Sequence, residues 1–589
     1  MDLFSVLTLL GGLALFLYGM ELMGDGLKKL AGGRLETFLA RLTSNRFKGF
    51  LLGLSVTAII QSSSATTVML VGFVNSGIMK LSQTISIILG ANIGTTVTAW
   101  LLSLTGINGE NFILRLMKPE SFSPILAVVG IIMLMVNASD QKKNVGSILI
   151  GFAILMFGMD MMSGSMEGLK DSESFSRMLI MFSNPIMGII VGTLFTAIIQ
   201  SSSASVGILQ ALSLTGAIPY STAIPIILGQ NIGTTITPVL SAITGNVQAK
   251  RVAASCVYIK MIGVIIVATA FYILNAIFRF PIMDGNMNVS VLTIAIIHTL
   301  FNIISTIILM PFCDKIEKLA KVTIKGEKQE KDIFATLDDR FLSMPSFAVE
   351  KCRGVVCEMA DLTKRGVLEA TGLLHKYDKA VAGKIKEWEG EVDKFEDKTS
   401  SYLVKISARE LNSKDSIEVT RLLHSVGDIE RISDHSVNVM RAAKEIHEKN
   451  IVFPEKVVDD MRVMRDAVKE IVEITSRALH NDDLEEAKKV EPLDQLIDKL
   501  KHKIKNNQVQ RLRDGACTVE MGFILSDLLI AYERIAGHCS NIAVSLIAPN
   551  NEALETHDYL SHVKNDDEND FVEKYNMYKK KYSLKKAEK

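Results

Sequence analysis

Charge is what large parts of this chain lack. No Asp, Glu, Lys or Arg stands between Ile186 and Ala249, and Lys80 alone interrupts the neutral run Gly49–Thr105. Neutral apolar runs of that length exclude a single soluble core. The chain as a whole carries no net charge, since 64 Lys and Arg balance 64 Asp and Glu, so bulk charge points to no polyanionic partner and no nucleic acid. Cysteine is sparse. Cys256, Cys313, Cys352, Cys357, Cys517 and Cys539 form no CxxC pair, which leaves neither a zinc nor a dithiol motif and fits reduced thiols in a reducing cytosol. No nucleophile elbow, P-loop or metalloprotease string appears, so an enzyme is not expected. The first apolar segment lacks a basic n-region and a clear cleavage site, and reads as a retained span rather than a signal peptide.

What is present is a repeat. The nine residues TAIIQSSSA run from Thr57 to Ala65 and again, unchanged, from Thr196 to Ala204. A shift of 139 residues aligns the two copies without a gap for more than eighty residues. GLALFLYGMELM at Gly12 meets FAILMFGMDMM, one aligned residue later, at Phe152; Asn45 meets Asn184, and Gly53 meets Gly192. GANIGTTVT at Gly90 meets GQNIGTTIT at Gly229.

Hydrophobic length predicts the topology. Leu3–Met23 is long enough to cross a bilayer, which takes about 20 apolar residues. Gly49–Gln61 and Ser64–Met79 span only about 13 and 16 residues, roughly 20–24 Å at ~1.5 Å per residue. Two short arms joined by a polar tip make a re-entrant hairpin. Leu81–Leu104 is a crossing interrupted at GANIGTT, and Phe122–Val136 is a short third one. Three crossings per copy turn the second copy upside down, and inverted repeats with broken helices at the midplane are the architecture of secondary transporters. Basic loops at Asp25–Lys48, Lys142–Lys143 and Lys250–Arg251 are expected to be cytoplasmic. A seventh crossing at about 289–312 then delivers the rest of the chain to the cytosol.

Both hairpin tips therefore point at one midplane region from opposite sides. At Gln61, Ser62, Ser63 and Ser64, and at Gln200, Ser201, Ser202 and Ser203, one arm ends and the next begins. The second arm's free N–H groups and the serine hydroxyls can donate to an oxyanion without a buried counter-charge. Helix-terminal carbonyls, the Gln amides and the hydroxyls of Thr66 and Ser205 offer oxygen ligands to a small hard cation. Asn92, Thr95 and Thr96, with their mates Asn231, Thr234 and Thr235, line the other walls. The chemistry this asks for is co-binding of an anion and a cation. A lone SSS in a membrane helix is packing glue; it is the duplication in register, with NIGTT each time, that argues for a site. The 27 Met residues read as filler rather than ligands.

At these paired QSSSAT/QSSSAS and NIGTT strings, residues 12–312 resemble the sodium/phosphate cotransporter family, in particular its bacterial branch. The resemblance implies inorganic phosphate as substrate, sodium as coupling ion, and a role for both QSSS tips in binding them. That family often sets a His and an Asn four residues apart after each NIGTT. His298 and Asn302 fit, whereas the earlier equivalent has Cys256 and Lys260. An intramembrane lysine is costly; Lys260 reads either as a fixed cation on the anion path or as a side chain that snorkels to an interface.

The second half is charged and helical in pattern. IERISDHSVN at Ile429 matches YERIAGHCSN at Tyr532, 103 residues on, and each follows a DxxxD, Asp393/Asp397 and Asp494/Asp498. Acids four apart share a helix face, and two such helices can hold a metal. These stretches resemble the PhoU regulatory family, two antiparallel three-helix bundles with E/DxxxD metal motifs. The resemblance implies a metal in the first bundle at Asp393, Asp397, Glu430 and Asp434. In the second bundle Gly537 replaces one carboxylate, which argues against a metal there.

The expected architecture is all-α: a polytopic membrane domain of two inverted repeats with re-entrant helical hairpins, then a cytosolic PhoU-like bundle domain. The membrane domain covers 1–312 (first repeat about 3–138, second about 144–275, closing helix about 289–312). A linker 313–345, a helical domain 346–549 and a disordered charged tail 550–589 follow. The expected activity is sodium-coupled symport of phosphate in the cell (inner) membrane, with a lipid bilayer as surroundings and self-association left open. The alternative is a phosphate sensor that signals without net transport.

Overall fold

The computed structural model describes residues 3–31, 45–106, 119–136, 139–166, 173–283, 287–326, 333–547 and 568–584. The basic positions Arg34 and Arg41 lie outside them. Regular structure among the described residues is helical, with one isolated antiparallel bridge between Pro219 and Asn288. The chain divides into two compact units, Met1–Phe341 and Leu342–Lys589.

In the first unit the repeat becomes a repeat of elements. Helices α1 (Leu3–Ala31), α2 (Arg46–Ile60), α3 (Ser63–Asn75), α4 (Leu81–Gly94), α5 (Thr96–Ser103) and α6 (Pro119–Val136) form the first copy. In the second, α7 (Asp140–Met166) corresponds to α1. A short α8 (Glu173–Phe182) precedes α9 (Pro185–Ile199) and α10 (Ser202–Ser213), the second hairpin. Then α11 (Tyr220–Gly233), α12 (Ile236–Ala242) and the long α13 (Val247–Phe278) complete it, and α14 (Val291–Leu309) closes the unit. Among the described residues six stretches are long and apolar enough to cross a membrane, at 3–30, 81–106, 141–166, 220–242, 247–278 and 291–323; 121–136 is a shorter apolar helix.

The inversion is visible in the packing of α1 on α7. A Cβ on Gly12 would stand 2.9 Å from the Gly158 carbonyl, and one on Gly19 would stand 2.6 Å from that of Gly151. As α1 advances its partner on α7 recedes, so the two helices run antiparallel. They are also repeat mates: Gly12 corresponds to Gly151 and Gly19 to Gly158. Each glycine thus faces the mate of the other, as in a two-fold contact between identical subunits. Side chains are excluded here because the backbones themselves touch. The hairpins obey the same rule. Gly53 on α2 meets the Ile87 carbonyl on α4, and Gly192 on α9 meets that of Ile226 on α11, with hypothetical Cβ approaches of 2.0 and 2.2 Å.

The described parts of the segment expected as a linker are folded. Helix α15 (Cys313–Thr323) continues from α14, and residues 333–341 pack onto the membrane unit. Phe341 is fully buried, its ring 5.6 Å from that of Phe73 and against Gly72 on α3. Asn75, at the end of α3, donates to Asp338 at 2.8 Å and accepts from the Asn246 amide at 2.9 Å, while Arg340 donates to the Ser241 carbonyl at 3.1 Å. These bonds tie the first hairpin to the α12–α13 turn of the second copy.

The second unit is two three-helix bundles. Helices α16 (Pro345–Leu373), α17 (Lys379–Ser407) and α18 (Ser413–Glu448) make the first, and α19 (Glu455–Asn481), α20 (Val490–Arg513) and α21 (Val519–Ile547) the second. Helices α18 and α21 pack together, and the repeat mates His435 and His538 stack there with ring centroids 5.9 Å apart. Part of the expected disordered tail is also ordered. Helix α22 (Glu568–Lys581) packs on α20, because its apolar positions bury Tyr578 and Tyr582 and the Tyr582 hydroxyl bonds Glu470.

Candidate ion and anion site at the hairpin tips

Each tip begins with the same backbone device. Gln61 closes α2 at φ 60°, ψ 21°, and Gln200 closes α9 at φ 60°, ψ 16°. Their amides bond Thr57 O at 2.8 Å and Thr196 O at 2.7 Å. The left-handed region is glycine's territory and costs another residue roughly 1–2 kcal/mol. Glutamine held there in both copies marks a position kept for its side chain. Ser62 and Ser201 then cap the second arms, each hydroxyl accepting from an amide 3.2 Å away, those of Ala65 and Ala204. That leaves the first two amides of α3 and of α10 without an intrahelical acceptor.

Behind the tips the arms are pinned identically. Thr57 donates to Thr66 at 3.0 Å, and Thr196 to Ser205 at 2.8 Å. The NIGTT segments keep right-handed backbone through the break, at Thr95 and Thr234. Thr95, Thr96, Thr234 and Thr235 each donate to a carbonyl three or four residues back. Their oxygen lone pairs stay available to a cation. Asn231 is bonded to Ile227 O at 3.0 Å and buried; Asn92 is half-buried.

The two copies meet through a residue outside the expected set. Thr98, on α5, donates to Gln61 Oε1 at 2.6 Å and accepts from the Ser203 hydroxyl at 3.4 Å. Gln61 passes the chain on to Ala58 O at 2.5 Å. One hydroxyl thus joins the first tip to the second. Among the described residues the Oγ1 of its mate Thr237 is buried with no partner, and so is the Gln230 side-chain oxygen, although Gln230 donates to Ser205 O at 3.0 Å. The tips differ in surroundings: Gln61 is buried and Gln200 exposed. Thr98 and Thr237 end the two nine-residue NIGTT strings, so register could have pointed to them; Gln230 faces an alanine in the other copy, and no repeat signal exists for it.

In the second unit the acids fall differently from expectation. Glu389, Asp393 and Asp434 converge, with one oxygen of each within 4.8 Å of the others, a donor set suited to a hard divalent cation. Asp397 and Glu430 stand outside that group. Burial, then the neighbouring carboxylates, push the carboxyls of Glu389, Asp393 and Glu430 up from their ordinary range. In the second bundle Lys501 stands between Asp498 at 2.9 Å and Glu533 at 3.9 Å, a side-chain cation amid the corresponding acids. Asp494 beside them is pushed up to about 7 by burial and by Glu491, Asp498 and Glu533.

Comparison with known proteins agrees with this division. The family described as Na+/Pi-cotransporter matches residues 15–164 and 157–290, once per copy, and the PhoU domain matches 356–443 and 461–546. The first unit is thus similar to the Na+/Pi-cotransporter family, and the second to the PhoU domain. Among its relatives is the putative inorganic phosphate export protein YjbB of Escherichia coli K12, 22% identical over 76% of this chain and 79% of that one. The sodium-dependent phosphate transport protein 2A of Rattus norvegicus is 36% identical over 105 residues, 17% of this chain and 16% of that one. A crystal structure of PhoU from Pseudomonas aeruginosa aligns with 34% of this chain and 95% of its own, at 23% identity and TM-score 0.33.

Proposed function

We propose that the first unit carries inorganic phosphate across the cell membrane together with sodium by alternating access, and that the second unit, on the cytoplasmic side, regulates it. The observation that carries this reading is the Gln61–Thr98–Ser203 chain, which brings two inverted tips to one place. Serine hydroxyls and free helix amides suit a phosphate oxyanion. The threonine oxygens, with the unpartnered oxygens of Gln230 and Thr237, suit sodium. A buried first tip beside an exposed second one is what alternating access requires of two equivalent gates. Such a symporter runs in whichever direction the summed gradients point, so a relative's name as an exporter is compatible with the same machine. In the regulatory unit, Glu389, Asp393 and Asp434 would hold a divalent metal, whose charge relieves the repulsion between them.

Radiolabelled phosphate flux into proteoliposomes tests it. An inward sodium gradient should drive accumulation, and dissipating that gradient should abolish it. Saturable phosphate binding with no flux under any gradient would instead mean a sensor.

A further inference from the structure

Helix α13 carries an ammonium deep inside the membrane unit. Lys260 is only 7% exposed. It stands 13 residues from the start of the helix at Val247 and 18 from its end at Phe278, roughly 20 and 27 Å along the axis at ~1.5 Å per residue. A lysine side chain reaches about 6 Å, well short of either helix end. Its near neighbours are the Cys256 thiol, one turn back, and His298 on α14. Neither supplies a negative charge of the kind an ammonium needs.

The helices packed on α13 do not supply one either. Helices α3, α4, α11, α12 and α14 contain no Asp or Glu, and neither does α13 itself. The packed α15 carries Asp314, bonded to Arg46 at 2.5 Å, and Glu317, bonded to Lys321 at 2.6 Å. The other buried cation of α13, Arg251, is satisfied by the carbonyls of Ile324 and Gly326 at 3.0 and 3.2 Å. Among the described residues Lys260 has no ion-pair partner. An unpaired charge so placed is costly and marks a substrate or ion path.

A line of neighbours leads from the turn before Lys260 to the first hairpin tip. Cys256 lies beside the Thr67 side chain, and Thr67 donates to Ser63 O at 2.8 Å, so Lys260 lies one helical turn from side chains that lead to the tip. The second copy's lysine has no counterpart in the first, where residue 121 is Ser. The feature belongs to one half only.

We propose that Lys260 is a resident cation of the anion site: its ammonium pairs with the bound phosphate and takes the place of one coupling sodium. This rests on the phosphate reading above. The anion supplies the charge the protein withholds, and a fixed positive charge lowers the number of sodium ions needed to neutralise a phosphate in transit.

The test is equilibrium binding of radiolabelled phosphate to full-length protein across a sodium titration, in wild type, Lys260→Met and Lys260→Arg, with thermal melting in the absence of phosphate. Lys260→Met should bind phosphate at least about tenfold more weakly at fixed sodium, with a sodium dependence steeper by one ion. Lys260→Arg should keep the wild-type slope. Without phosphate, Lys260→Met should melt at or above the wild-type temperature, because an unpaired buried charge has been replaced by an apolar side chain. Unchanged affinity and slope in Lys260→Met would overturn the inference while leaving the phosphate reading intact, as would a lower melting temperature that reveals a structural partner. Wild type that binds no phosphate would sink both.

Discussion

Thr98 stands between Gln61 and Ser203, donating to the first at 2.6 Å and accepting from the second at 3.4 Å. The three residues come from the first tip, the helix after the first NIGTT, and the second tip. A small structural change at either tip therefore reaches the other through one rotatable hydroxyl.

Thr98→Val keeps the shape and removes that hydroxyl. A buried hydrogen bond of this kind contributes about 1–1.5 kcal/mol, so phosphate flux should fall about tenfold, while Thr98→Ser should retain most of it. Flux in reconstituted vesicles, set against the melting temperature of each variant, separates a lost link from a lost fold.

Gln200 holds a left-handed conformation on an exposed tip. Replacing it with Gly relieves about 1 kcal/mol of backbone strain. Gln200→Gly should accordingly melt a few degrees higher and transport at least tenfold more slowly. A variant that is both more stable and fully active would show that the strain serves no purpose in transport.

Gly19 and Gly151 meet backbone to backbone across the internal two-fold. A Cβ on Gly19 would stand 2.3 Å from Leu155 N, and one on its repeat mate Gly158 would stand 2.3 Å from Phe16 N. Gly19→Ala and Gly158→Ala should each destabilise the membrane unit by more than about 2 kcal/mol, and by similar amounts because the two glycines are repeat mates making equivalent contacts. Detergent melting curves would register a marked difference between them if the pseudo-symmetry were only approximate in energy.

Asp494 gives the second unit a pH dependence. Its carboxyl lies near 3.8 when unperturbed and at about 7 in the fold. The folded state holds a proton that the unfolded state has lost between those values, so stability is greatest below the window and falls as pH rises through it. Asp494→Asn should flatten that slope between pH 4 and about 7. Denaturant titrations across that pH range, on wild type and variant, measure it.

Much of this was legible in the chain itself. The 139-residue register specified the inverted copies, because the tightest backbone contacts between α1 and α7 fall on Gly12, Gly19, Gly151 and Gly158, which the register pairs. The tips were legible for the same reason. Thr98 escaped because its role crosses from one copy to the other, and a repeat aligns mates without bringing partners together. The buried Gln61 and exposed Gln200 sit in identical nine-residue strings, so only their surroundings distinguish them. Glu389 lies one turn before the DxxxD that drew attention to Asp393; of the two acids outside the set, Asp397 lies one turn beyond Asp393 and Glu430 one turn before Asp434. By composition the connector read as a charged linker and the tail as disordered. In the structure a few residues, Phe341 in one case and Tyr578 and Tyr582 in the other, bury enough surface to dock them.

The central claim is that two inverted tips build a single site for phosphate and sodium. Radiolabelled phosphate binding with and without sodium tests it most directly in two variants, one with Ser62–Ser64 and one with Ser201–Ser203 replaced by Ala. The account predicts sodium-dependent binding in wild type and its loss in each variant alone, with both variants folded. Full sodium-dependent affinity in either variant would mean that one tip suffices, and would contradict the shared site.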